Sequence, residues 1–143
     1  MRVVGLDVGE RRIGVAVSDA TRTLARPVGV LAIARLDAAA VARAADEVGR
    51  LAAEEDGVAA IVVGLPRRLD GSPTALTEGV RGFASQLGAR TGLPVALQDE
   101  RLTSVEAESR LAVRDKDWRS RKKRLDAAAA AIILQDHLDG LPR

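Results

Sequence analysis

Two uninterrupted apolar runs, Val3–Leu6 and Val58–Val63, limit the fold more than any other feature of this chain. Each is short for a helix and offers no polar position to turn toward water. Each therefore reads as a strand covered on both faces. Sheets of that kind need helices to cover them, and the chain supplies these. Asp37 is placed to N-cap an Ala-rich helix running through Glu55, with Gly57 beyond its end. Thr74–Arg90 reads as a helix with Val80, Phe83, Ala84 and Leu87 on one side, and Ser104–Val113 as another. Asp126–Leu138 is a last, Ala-rich one. Ile13–Val17 reads as a strand after a turn at Gly9–Arg12. Val28–Ile33 is another after a loop holding Pro27, and Val95–Leu97 is a short last strand, while Gly64–Pro73 reads as a loop. The order is β-β-β-α-β-α-β-α-α. Short links make the first three strands antiparallel, and the later ones join in parallel through right-handed crossovers. The expectation is an α/β fold in a single domain over residues 1–143.

Composition narrows the chemistry. The chain has no Cys and one His, His137, which excludes disulfides, thiolate zinc sites and His-rich metal sites. Any metal must be held mainly by carboxylates, which favours a hard ion such as Mg²⁺ or Mn²⁺. No run approaches the ~18 apolar residues of a membrane span. The start has no signal-peptide layout, so the expected location is cytoplasmic, away from membranes. The net charge of +2 hides an asymmetry. Residues 114–124 hold seven basic and two acidic side chains, a local +5 on a chain that is otherwise −3. Such a block is either a solvated loop or a grip for a polyanion.

Three acidic residues stand where chemistry is expected. Asp7 lies at the carboxyl end of the first buried strand, where ligands bind in open α/β sheets. Glu100 follows the last strand. Its neighbour Asp99 has the opposite strand parity, so the two should not both face one site. Asp126 opens the last helix. Taken singly, each has a plain structural reading: a turn Asp before Gly9, an acidic loop residue paired with Arg101, and a helix N-cap. If the three meet at one mouth, their mutual repulsion calls for cations. Divalent ions held there suit phosphodiester hydrolysis.

The residues that carry this pattern form an ordered set over nearly the whole chain. They are Gly5-Leu6-Asp7-Val8-Gly9 with Arg12-Ile13-Gly14-Val15-Ala16-Val17-Ser18-Asp19, then Gly64-Leu65-Pro66 with Asp70-Gly71-Ser72, and Val80-Arg81 with Phe83-Ala84. Asp99-Glu100-Arg101-Leu102-Thr103-Ser104-Val105-Glu106-Ala107 follows, then Asp126 with Ala129-Ala130 and Ile133-Leu134-Gln135. In these the chain resembles the YqgF (RuvX) family of Holliday-junction resolvase-like proteins and pre-16S ribosomal RNA nucleases. The resemblance implies a ribonuclease-H-like fold with five strands in the order 3-2-1-4-5. It also implies catalytic and metal-holding roles for Asp7, Glu100 and Asp126. Arg68 and Leu69 depart from the Asn and Met usual in that family's loop after Gly64-Leu65-Pro66.

The expected function is therefore a metal-dependent nuclease, using Mg²⁺ or Mn²⁺, on structured nucleic acid. Precursor 16S rRNA is the first substrate expected and four-way DNA the alternative. Arg12, Arg67, Arg68, Arg101, Arg119, Arg121, Lys122 and Lys123 are candidate nucleic-acid contacts. Trp118 either stacks on a base or pins its segment to the body. The protein is expected to act as a monomer or homodimer. A non-catalytic nucleic-acid-binding module is the rival from another class. Phosphotransfer, suggested by Asp7-Val8-Gly9 in a strand-turn-strand, is a third.

Overall fold

A computed structural model describes residues 1–100 and 118–142, with side chains in the last helix from Asp126 onward. The elements run β1 (Arg2–Val8), β2 (Arg12–Ser18), β3 (Ala25–Ala32), α1 (Ala38–Ala52), β4 (Val58–Pro66), α2 (Thr77–Thr91), β5 (Val95–Glu100) and α3 (Trp118–Asp139). The five strands form one sheet in the order β3-β2-β1-β4-β5, as the resemblance implied. β1 pairs antiparallel with β2 and parallel with β4, and β4 pairs parallel with β5. The carboxyl ends of β1, β4 and β5 therefore share one edge of the sheet, where β2 begins.

Strand periodicity divides the side chains between two layers. Val4, Leu6, Val8, Ile13, Val15, Val17, Ile61, Val63 and Leu65 pack with Val41, Ala44, Val48, Phe83 and Leu87 of α1 and α2. On the other face, Val3, Ala16 and Val62 pack with Ala130, Ile133, Leu134 and Leu138 of α3. The central strands are thus buried on both sides, as their continuous apolar runs require.

The element ends differ from the sequence reading for local reasons. Pro27 lies inside β3, not in the loop before it. β3 is an edge strand, where a residue without an N–H is tolerated. The register slips there: Val15 faces Gly29 and Ala16 faces Pro27, leaving Val28 as the extra residue of a bulge. Asp37 caps α1 as expected, accepting from the Ala40 N–H at 3.1 Å. That helix ends at Ala52, and Arg2 spans its end and the turn beyond: the buried guanidinium donates to Leu51 O at 2.9 Å, Gly57 O at 3.2 Å and Glu54 Oε1 at 2.9 Å. α2 starts at Thr77 and not Thr74. The buried Thr77 hydroxyl donates to Pro66 O at 2.6 Å and accepts the Thr74 N–H at 2.8 Å, which fixes 74–76 as a turn. Gly92, at φ 71°, closes α2 in the left-handed conformation.

The last helix is the largest correction. It begins at Trp118, so Asp126 stands two turns inside it and is not its N-cap. Nothing between Trp118 and Asp126 breaks a helix, and Arg, Lys and Leu propagate one well. Arg119, Arg121, Lys122 and Lys123 therefore sit on helical backbone, not in a loop. The expected helix at Ser104–Val113, the residue Arg101 and the start of the basic block at Arg114 lie outside the described residues.

Candidate active site

β1 delivers Asp7 to the mouth of the sheet. Val4, Leu6 and Val8 point into the α1/α2 layer, so the alternation turns Asp7 toward α3. Across β2, the residue facing Asp7 is Gly14. A side chain there would collide with the Asp126 backbone: a Cβ would overlap its carbonyl oxygen and lie 2.7 Å from its carbonyl carbon. The missing side chain lets α3 settle on β2 at that point and brings Asp126 beside Asp7. At Gly64 a Cβ would lie 2.6 Å from Ile133 Cδ1 and 3.0 Å from Glu100 Oε2. Gly64 follows Val63, the partner of Leu6, just as Asp7 follows Leu6. Two glycines thus clear the floor on which Asp7, Glu100 and Asp126 approach one another.

β5 is longer than its apolar core suggests. It continues through Asp99 to Glu100, which pairs with Pro66, so both acidic residues belong to the strand and do not follow it. Parity separates them as expected. Asp99 accepts from Arg67 Nε at 3.0 Å, whereas Glu100 turns to Asp7.

The electrostatics match a cramped carboxyl pair. Burial raises the Asp7 carboxyl to about 6, against a hydrogen bond from Glu100 that favours its charged form, and the nearby Asp126 charge pushes it further up. Burial, the Asp7 charge and the bond to Asp7 raise Glu100 to about 9. Glu100 therefore holds the proton and donates it to Asp7. Asp126 also meets a cation: its Oδ2 lies 3.3 Å from Arg12 Nη1, with each side chain about a third exposed (34% and 27%). Among the described residues, no three His, Cys, Asp or Glu side chains already stand as a metal-holding group.

The candidate nucleic-acid residues separate in the same way. Arg12 lies at the mouth on Asp126. Arg67 is engaged by Asp99 and by Gly71 O at 3.1 Å, while Arg68 is exposed on the turn closed by Gly71 and Ser72. Sequence reasoning missed what anchors the far end of α3. Gln135 donates to Thr23 O at 2.8 Å and accepts the Ala25 N–H at 2.9 Å, tying the helix to the β2–β3 turn. In that turn Asp19 accepts from Thr21, Thr23 and Leu24, and these bonds hold its carboxyl below the usual range. The Ser18-Asp19 pair and Gln135 were visible in the sequence as parts of the ordered set, but their partnership was not.

A five-stranded sheet in this order, with carboxylates from β1, β5 and a helix at the carboxyl ends of its parallel strands, is the architecture of ribonuclease-H-like nucleases. The RuvX family model, described as Holliday junction resolvase, matches residues 1–140, and the chain belongs to that family. A protein of Anaeromyxobacter sp. (strain Fw109-5), provisionally named pre-16S rRNA nuclease, is 44% identical over 140 residues, covering 98% of each chain. A protein of Moorella thermoacetica with the same provisional name is 45% identical over 141 residues, covering 99% of this chain and 96% of its own. Among solved structures, the T. thermophilus RuvC in complex with a Holliday junction substrate superimposes with a TM-score of 0.55 at 18% identity, covering 98% of this chain and 97% of that one. That likeness concerns the fold.

Proposed function

We propose that this chain hydrolyses phosphodiester bonds of precursor 16S rRNA in the cytosol, with Asp7, Glu100 and Asp126 as its catalytic carboxylates. The observation that carries the reading is the side-chain hydrogen bond between Asp7 and Glu100 at the open end of the sheet, with Asp126 close enough for its charge to act on Asp7. Two buried carboxyls forced together are costly unless something neutralises them. In this state a proton does so.

An all-oxygen donor set of three carboxylates fits a hard divalent ion, Mg²⁺ or Mn²⁺, in place of that proton. Such an ion, when bound, supplies an activated water and charge neutralisation at the scissile phosphate. The chain's own residues do the rest. Asp7 and Glu100 fix the donor oxygens on strands, Asp126 adds a third from α3, and the packed sheet holds them in place. Arg119, Arg121, Lys122 and Lys123 lie on the α3 backbone leading to Asp126, so basic residues precede Asp126 within one helix. Their role is to attract the phosphate backbone, which they do without reading sequence. Arg68, exposed on the turn after β4, and Arg101, the residue after Glu100 in the sequence, are assigned the same role.

The provisional name of the relatives favours ribosomal RNA, and the family's description favours four-way DNA. Cleaving a four-way junction takes two coordinated cuts and hence a dimer, whereas trimming an RNA end takes a single active site. The test is to incubate the purified chain with precursor 16S rRNA and with a four-way junction, in Mg²⁺ and in Mn²⁺. Cleavage of the RNA at its 5′ end supports the proposal. Cleavage of the junction alone replaces the substrate, and binding of either without cleavage defeats the nuclease reading.

A further inference from the structure

Among the described residues, Arg12 brings a cation to the mouth. It heads β2, two residues before Gly14, and alternation places both on the α3 face of the sheet. Its Nη1 is 3.3 Å from Asp126 Oδ2, and about a third of each side chain remains exposed to solvent. Asp126 is in turn close enough to act on the charge of Asp7. Asp126 thus carries a guanidinium contact while Asp7 and Glu100 hold each other.

We infer that Arg12 is a positioning residue that occupies Asp126 until a divalent ion is bound, and then transfers its guanidinium to a substrate phosphate. This inference rests on the metal-dependent nuclease reading. The geometry favours exchange over a permanent structural pair. A 3.3 Å contact between partly exposed groups is weak and easily exchanged, unlike a buried two-pronged pair. By contrast, Arg2 bonds two carbonyls and Glu54 from a site that is 5% exposed, which is how this fold builds a structural arginine. Once released, Arg12 is a planar donor fork at the mouth, suited to two-pronged contact with phosphate oxygens. One side chain thereby links the two binding events: it opposes the ion in the free protein and favours the substrate after the ion has entered.

The test measures Mn²⁺ binding by calorimetry in the absence of nucleic acid, on the wild type and on Arg12→Gln, Arg12→Lys and Asp7→Asn. Removing the competing charge in Arg12→Gln is expected to tighten Mn²⁺ binding by about three- to fivefold. The same variant is expected to raise KM for cleavage by about tenfold, as expected for loss of one phosphate contact. Arg12→Lys keeps the charge and is expected to stay within about twofold of wild type in Mn²⁺ binding, with partial recovery of KM. Unchanged or weaker Mn²⁺ binding in Arg12→Gln, with a normal unfolding midpoint, overturns the inference. If that midpoint falls, Arg12→Lys decides: a Lys variant that matches wild-type folding but binds Mn²⁺ as tightly as the Gln variant also overturns it. If the wild type itself binds no Mn²⁺, or Asp7→Asn binds it equally well, the failure lies with the metal-site reading beneath.

Discussion

The carbonyl of Asp126 rests where the side chain of residue 14 would have to be, and only a glycine at 14 allows it. Because Gly14 is also the partner of Asp7 across β1 and β2, one missing methyl group sets the distance between two of the three carboxylates. Gly14→Ala should therefore push α3 off the sheet. The expected cost is about 1–3 kcal/mol in urea unfolding, together with a fall in nuclease activity larger than the stability loss explains. Gly29→Ala is the matched control on the neighbouring strand. A Cβ there meets nothing within 4 Å, and its stability should stay within about 1 kcal/mol of wild type.

The carboxyl pair makes stability depend on pH in a defined direction. Glu100, held up to about 9, keeps a proton in the folded chain that the unfolded chain has already released above the ordinary carboxylate range. Asp7 behaves likewise up to about 6. Unfolding therefore releases protons between those limits, and stability falls as pH rises through them. In cation-free buffer the thermal midpoint should drop from pH 5 to pH 9. Glu100→Gln, neutral throughout, should flatten most of that slope above pH 6. Parallel curves for the two proteins would contradict the arrangement.

A divalent ion competes with the same proton. Adding Mg²⁺ or Mn²⁺ should raise the unfolding midpoint of the wild type, and by more at pH 8 than at pH 6. Asp7→Asn should lose most of this response. Differential scanning fluorimetry across a cation titration measures it.

Arg2 tests a part of the fold remote from chemistry. Its guanidinium supplies donors to the Leu51 and Gly57 carbonyls at the end of α1 and in the turn beyond. Arg2→Met removes them and leaves buried acceptors unmatched, at an expected cost of about 2–4 kcal/mol. Specific activity per folded molecule should not change, because Arg2 stands at the amino end of β1 and the carboxylates at the other.

Much of this architecture could be read from the chain before any coordinates. Continuous apolar runs fixed the doubly covered strands, and the period of two told Asp99 from Glu100. The boundaries failed where a tertiary partner decided them. Pro27 entered a strand because that strand lies at the sheet edge, and Thr77 ended a turn because the Pro66 carbonyl was in reach. Asp126 resembled an N-cap because the residues before it are charged. Charge does not stop a helix, and α3 runs through it. What no local pattern exposes is the role of Gly14. A glycine inside an apolar strand signals close backbone approach in general, but not which helix approaches.

Asp7, Glu100 and Asp126 are proposed to act together on a phosphodiester. The most direct test is the cleavage rate of precursor 16S rRNA in Mg²⁺ or Mn²⁺ by the wild type and by Asp7→Asn, each checked for native folding. The expected result is a loss of at least about 100-fold in the variant. Undiminished cleavage by folded Asp7→Asn would contradict it.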